Sequence, residues 1–296
     1  RARERGPGRR RDGGGEDVVN RGALVAFTGT TPNIGTTISA FSAAWRIAEY
    51  SGQPVGYFCL NLKSAKLHRY IRVEQPALSL DRMRPELKAA TLSPERLKAA
   101  AFRPAGMTNL FICFGNLLRD QAEFYEPEEI GHLLDAAREA FSITIADVSA
   151  YWDNAATIAA MLAADSRIVA TTTALSHFQE DGRRWFGLAR SLFGIEPGGC
   201  DAVIISPPWR YGGFTMKDVQ KETGLRAIDR LRLTEPLMAA LDNGALLDWL
   251  RTDDTGRKAM DEAARQLMNR HGVRFGRGIA QQPWYRRLLA HRNGVS

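Results

Sequence analysis

The chain alternates short, continuously apolar runs with longer amphipathic stretches, and that alternation leaves few folds open to it. Seven runs read as strands: "ALVAF" (23 to 27), "VGYFCL" (55 to 60), "LFICF" (110 to 114), "ITIAD" (143 to 147), "RIVATT" (167 to 172), "AVIIS" (202 to 206) and the weaker "AIDRLRL" (227 to 233). Between them the spacing predicts helices over about 36 to 50, 127 to 140, 153 to 163, 176 to 193, 215 to 223, 235 to 250 and 254 to 271. Pro127 suits a first helical position with Glu128 and Glu129 in the first turn, and Thr215 can cap "MKDVQKE". Strands apolar throughout are buried on both faces. Alternating with helices, they form a mostly parallel twisted sheet of about seven strands with helices on both sides. Such sheets bind ligands at the carboxyl ends of their strands.

Composition narrows the function classes. A length of 296 residues with 44% apolar and 25% charged content suits one large α/β domain. No run approaches the roughly 18 apolar residues that cross a bilayer. No apolar signal core is visible near the start, so a cytoplasmic location is expected, while the initial arginine leaves room for a preceding segment. Cys59, Cys113 and Cys200 have no CxxC spacing and read as buried thiols in a reducing compartment. The five histidines lack ligand or nucleophile spacing, which argues against a metal or acyl-transfer centre.

Charge is uneven. The net charge is +7, and Arg265, Arg270, Arg274, Arg277, Arg286, Arg287 and Arg292 succeed one another with no acidic residue between or after them. The body of the chain is therefore near neutral, and any anionic partner is directed to the ends. The chain divides into a disordered basic Gly/Arg-rich linker over 1 to 22, a folded domain over 23 to 271, and a basic tail over 272 to 296.

In the tail, Trp284, Leu288, Tyr285 and Leu289 can share a helix face ringed by Arg286, Arg287 and Arg292, a pattern suited to an anionic membrane surface, to a partner protein or to self-packing. Trp185, Phe186, Leu188 and Leu192 at near-helical spacing read as core, with partner contact as the alternative.

The stretch "FTGTTPNIGTT" (27 to 37) joins the first strand to the first helix, where a phosphate-binding loop would lie. Such loops converge backbone N–H groups on phosphate oxygens beside a helix N-terminus, and a lysine reaches the outer phosphates. Here Gly29, Gly35 and Thr37 persist, Asn33 can adopt a left-handed conformation, and Pro32 removes a donor. No lysine is present. A plain strand-to-helix turn capped by threonines explains the stretch equally well.

Ordered co-occurrence over residues 23 to 270 resembles the deviant P-loop ATPases of the MinD/ParA family, and within it the atypical CpaE/TadZ-like branch associated with pilus assembly. "VAFTGTTPNIGTTISAFSAAWRIA" looks like that family's strand, loop and first helix. "VGYFCLNLKSAKLHRY" occupies the place of its DxD strand, and "SITIADVSAYWDNAA" that of its Walker B segment. The later "ADSRIVATT" and "KETGLRAIDRLRLTEPLMAALDNGALLDW" look like its subsequent strands and C-terminal pattern.

The resemblance implies an ATP or ADP site with magnesium. Gly29, Thr30, Thr31, Asn33, Gly35, Thr36 and Thr37 would cradle phosphate, Thr37 would bind magnesium, and Asp147 would act as the Walker B carboxylate, unless it merely caps the turn after it. Departures are concentrated at chemical positions. The two family lysines correspond to Thr31 and Thr36, the DxD carboxylates to Cys59 and Asn61, and the adenine-contacting asparagine to Ser206. In active relatives the lysine corresponding to Thr31 reaches across a dimer to the partner's nucleotide. Losing one positioned cation typically costs a factor of about 10² or more in phosphoryl transfer.

The resemblance and its departures together imply an atypical Walker A protein without efficient ATPase activity, a localisation or assembly scaffold for a pilus or secretion machine. It would bind that machine's protein components, form a homodimer and touch the inner face of a membrane through 281 to 292. Two alternatives stay open: a divergent ATPase using Lys63 or Lys66 as substitute charges, and, less favoured, a ParA-like DNA-partitioning protein.

Overall fold

The computed structural model describes residues 21–208 and 214–276. Most of the expected linker and tail, including 281 to 292, lies outside the described residues. Seven strands form one sheet: β1 (Ala23–Gly29), β2 (Val55–Cys59), β3 (Leu110–Cys113), β4 (Ile143–Asp147), β5 (Ser166–Thr172), β6 (Cys200–Ser206) and β7 (Arg226–Arg232). All pairings are parallel, in the order β3-β2-β4-β1-β5-β6-β7. Each apolar run is thus a strand, shifted at its ends by at most a few residues.

The two faces of β1 show why its run is apolar throughout. Leu24 and Ala26 face a layer built from α3 (Leu80–Lys88), α4 (Pro94–Ala100), α5 (Pro127–Ala140), α6 (Ala155–Ala163), α7 (Gly182–Phe193) and α8 (Met216–Thr223). Val25 and Phe27 face the other layer, made by α1 (Thr36–Ser51), α2 (Leu67–Tyr70), α9 (Glu235–Asp242), α10 (Leu246–Thr252) and α11 (Asp261–Arg270). β1 leads through α1 towards β2, whereas its neighbour β5 leads through α7 on the opposite face towards β6. Their connections diverge, which opens a crevice at the carboxyl edge of the sheet.

Several helices depart from the sequence reading for local reasons. The helix expected over 235 to 250 is split into α9 and α10, because Gly244 takes φ +66° and an added Cβ would lie 2.9 Å from the Arg69 carbonyl oxygen. The helix expected from 254 begins only at Asp261, because Met260 is left-handed at φ 59°. The segment from 176 enters α7 through a π-helical turn, Ser176–Asp181. Three helices, α2 to α4, fill a stretch where none was expected. The α5 start at Pro127 and the Thr215 cap are as read, and Asp218 adds a reciprocal bond to the Thr215 N–H. In α7, Trp185 and Phe186 are buried while Leu188 and Leu192 are exposed. Among the described residues no helix is long and apolar enough to cross a membrane.

One buried cation binds the second layer together. Arg46 on α1 is 2% exposed and donates through Nη2 to the carbonyl oxygens of Leu250 (2.7 Å) and Gly256 (2.6 Å), with Nη1 on Glu49. Gly256 permits this approach, since a Cβ there would fall 2.0 Å from the Trp249 carbonyl oxygen. Replacing Arg46 by Met keeps the stem but takes the guanidinium donor from the Leu250 carbonyl and leaves Gly256 with only the Ala259 N–H at 3.1 Å. Arg46→Met is expected to cost about 3 kcal/mol and to lower the thermal midpoint by roughly 10 °C, read by calorimetry.

Candidate functional site

β1 stops at Gly29 and α1 starts at Thr36, so the loop between them sits at the centre of the carboxyl edge. It folds tightly over its own ends. A Cβ on Gly29 would lie 2.7 Å from Thr36 Oγ1 and 2.9 Å from the Thr31 carbonyl oxygen. Gly35 (φ 108°) and Asn33 (φ 60°) take the positive φ angles that turn the chain into the helix. Thr36 and Thr37 occupy the first turn of α1, where free N–H groups and the positive end of the helix dipole gather.

The loop is tied to its neighbour across the crevice. Thr30 is buried, its N–H donating to the Ala170 carbonyl oxygen at 2.9 Å and its hydroxyl to Thr171 Oγ1 at 3.0 Å. Thr31 donates its hydroxyl to the Asp181 carboxylate at the end of the π-helical turn. The Thr31 hydroxyl is therefore engaged within the same chain.

A cleft of about 620 Å³ opens beside the loop. Thr31, Asn33, Gly35, Thr36 and Thr37 form its loop side. Asn61, Lys63, Lys66 and Arg119 come from beyond β2 and β3, Ser149 and Tyr151 from beyond β4, and Leu233 with Met238 supplies an apolar corner. Asn61 Oδ1 accepts the Ser64 N–H at 3.1 Å and so shapes its own turn. Lys63 bridges two carboxylates, Asp153 at 2.9 Å and Glu123 at 3.5 Å, and the Asp153 hydrogen bond raises its pKa. Lys66 and Arg119 are exposed and have no ion-pair partner among the described residues.

Asp147 ends β4 in register with Phe27 on β1 and Cys59 on β2. It is fully buried and lies behind the cleft wall rather than on it. Tyr57 donates its hydroxyl to Oδ2 at 2.9 Å, and Oδ1 has no partner. Burial pushes the carboxyl pKa up to about 7 from 3.8, opposed by the hydroxyls of Thr37 and Tyr57. Thr37 is close enough for that opposing effect without reaching hydrogen-bond geometry at Oδ1.

Cys59 is buried, and burial followed by the Asp147 charge drives its thiol pKa well up. Ser206 is half-buried, with its carbonyl accepting the Leu233 N–H at 2.8 Å. Among the described residues no cluster of His, Cys, Asp and Glu could by itself hold a metal ion.

Tyr57, Asp181 and Arg119 were not singled out from the sequence. The one available signal is that Tyr57 and Cys59, two apart on a strand, share a face and so both look towards Asp147.

By sequence, no protein-family model and no curated protein matches the chain. Solved structures do resemble it. A ParA family ATPase from Chlorobium tepidum TLS is 16% identical with TM-score 0.70, covering 84% of this chain and 99% of its own. The MinC:MinD cell division protein complex of Aquifex aeolicus gives 13% identity and TM-score 0.67, over 83% and 96%. The septum site-determining protein MinD of Pyrococcus horikoshii OT3, complexed with Mg-ADP, gives 14% and 0.65, over 85% and 98%. Seven parallel strands with helices on both faces, and a glycine-bounded loop at the end of β1, give this chain the P-loop fold of the MinD and ParA ATPases.

Proposed function

We propose that the chain is a MinD/ParA-like protein that binds ATP or ADP without efficient hydrolysis and acts as a localisation or assembly scaffold for a pilus or secretion machine. The observation that carries this reading is the state of the phosphate loop. Both family lysine positions are threonines, and the Thr31 hydroxyl is held by Asp181. One substitute, Lys63, is bridged to Asp153 and Glu123.

Each missing cation removes about 3 kcal/mol of transition-state stabilisation, whereas backbone amides and the α1 dipole still favour phosphate. Binding can therefore outlast catalysis. The partners of such a scaffold are protein components of the machine and a second copy of the chain, with 281 to 292 touching the inner face of the membrane.

A second reading has one observation in its favour: Lys66 faces the cleft without an ion-pair partner among the described residues. In that reading the chain is a divergent ATPase, and Lys66→Ala abolishes a magnesium-dependent turnover. Under the first reading, calorimetric titration detects ADP or ATP while phosphate release stays at the buffer level. Magnesium-dependent hydrolysis that disappears in Asp147→Ala overturns it.

A structural Asp147 also predicts a pH signature. Its folded-state pKa of about 7 exceeds the ordinary 3.8, so the folded protein holds the proton more tightly than the unfolded chain. That contribution to stability is fully present below pH 3.8 and is lost as pH rises towards 7. Asp147→Asn keeps an acceptor for Tyr57 and carries no charge. The variant is expected to melt above the parent at pH 8, with the gap narrowing as pH falls; thermal midpoints across that range provide the check.

A further inference from the structure

We propose that the cleft takes its phosphate-bearing ligand as a free anion, without magnesium, through Lys66 and Arg119 on the wall facing the loop. The proposal rests on the chain being a nucleotide binder and goes beyond that in naming what neutralises the phosphate.

The donor set does not fit a magnesium centre. Among the described residues the cleft wall carries Lys63, Lys66 and Arg119 and no Asp or Glu. Magnesium demands near-octahedral oxygen ligands and is usually held by one or two carboxylates besides substrate phosphates and water. The two positions where the resembling family places carboxylates hold a buried thiol, Cys59, and an amide, Asn61, whose oxygen already accepts the Ser64 N–H. Asp147 is fully buried behind the wall, with one oxygen taken by Tyr57. Its remaining oxygen is buried as well, so the oxygen donors that line the cleft are neutral hydroxyls and amides, Thr37 among them.

The same wall is well suited to an anion. Lys63 is neutralised by Asp153 and Glu123, so the uncompensated charge belongs to Lys66, just ahead of α2, and to Arg119, which opens the 3-10 turn Arg119–Phe124. The guanidinium offers a fork matched to two phosphate oxygens and the ammonium a compact point charge. Threonine hydroxyls and α1 amides face them, and Leu233 and Met238 can cover an apolar group. The chemical class is a nucleoside di- or triphosphate, read by its outer phosphates.

Titration calorimetry on the full chain with ADP, pyrophosphate and adenosine, in magnesium and then in chelator, tests this. ADP and pyrophosphate are expected to bind with the same affinity in both buffers. Lys66→Gln and Arg119→Gln, each melting with the parent, are expected to weaken both ligands about tenfold and leave adenosine unchanged. Binding seen only with magnesium overturns the inference and leaves nucleotide binding standing. Unchanged ADP affinity in the double variant does the same. Absence of ADP binding in either buffer overturns both.

Discussion

A parallel sheet buried on both faces can put polar chemistry only where its strands stop. Within β1, β2 and β4 every side chain meets a helix layer, and every backbone group is taken by the ladder. The carboxyl edge is the first place where hydroxyls, amides and charges can gather. Register decides which of them meet: Phe27, Cys59 and Asp147 lie side by side because three strands end at one level. The loop of β1, the turn after β2 and the carboxylate of β4 owe their proximity to that level. Arg46 matters to the site for the same reason, since it holds α1, whose first turn faces the cleft, against α10 and the turn after it.

The seven strands were readable because continuous burial writes itself as continuous apolarity, which needs no partner to be recognised. The helices were readable where an apolar stripe ran long enough. It did not run long enough in α2, α3 and α4, which are short, and α3 carries Pro85 within a mostly polar sequence. The breaks at Gly244 and Met260 arise from tertiary approaches and left-handed backbone, neither of which leaves a periodic trace. For the candidate site, the position of the loop and its want of any lysine could be read directly. The partners could not. Tyr57 is 90 residues from Asp147, and Asp181 is 150 from Thr31.

The cleft combines two conditions that are usually opposed. Its carboxylate is withdrawn: Asp147 is sealed behind Thr37 and Tyr57, in surroundings that favour the neutral acid. Its cations are displaced: they stand on loops beyond β2 and β3 instead of inside the loop of β1. A phosphate loop with lysines and a carboxylate-held metal moves charge during a reaction. Here hydroxyls of the loop and two exposed cations line one open cleft.

The Thr31–Asp181 contact also bears on what a basic side chain could do at this place. A lysine placed at 31 here would have a carboxylate of its own chain within reach and would be held at home by it. A single substitution there would therefore yield an internal ion pair.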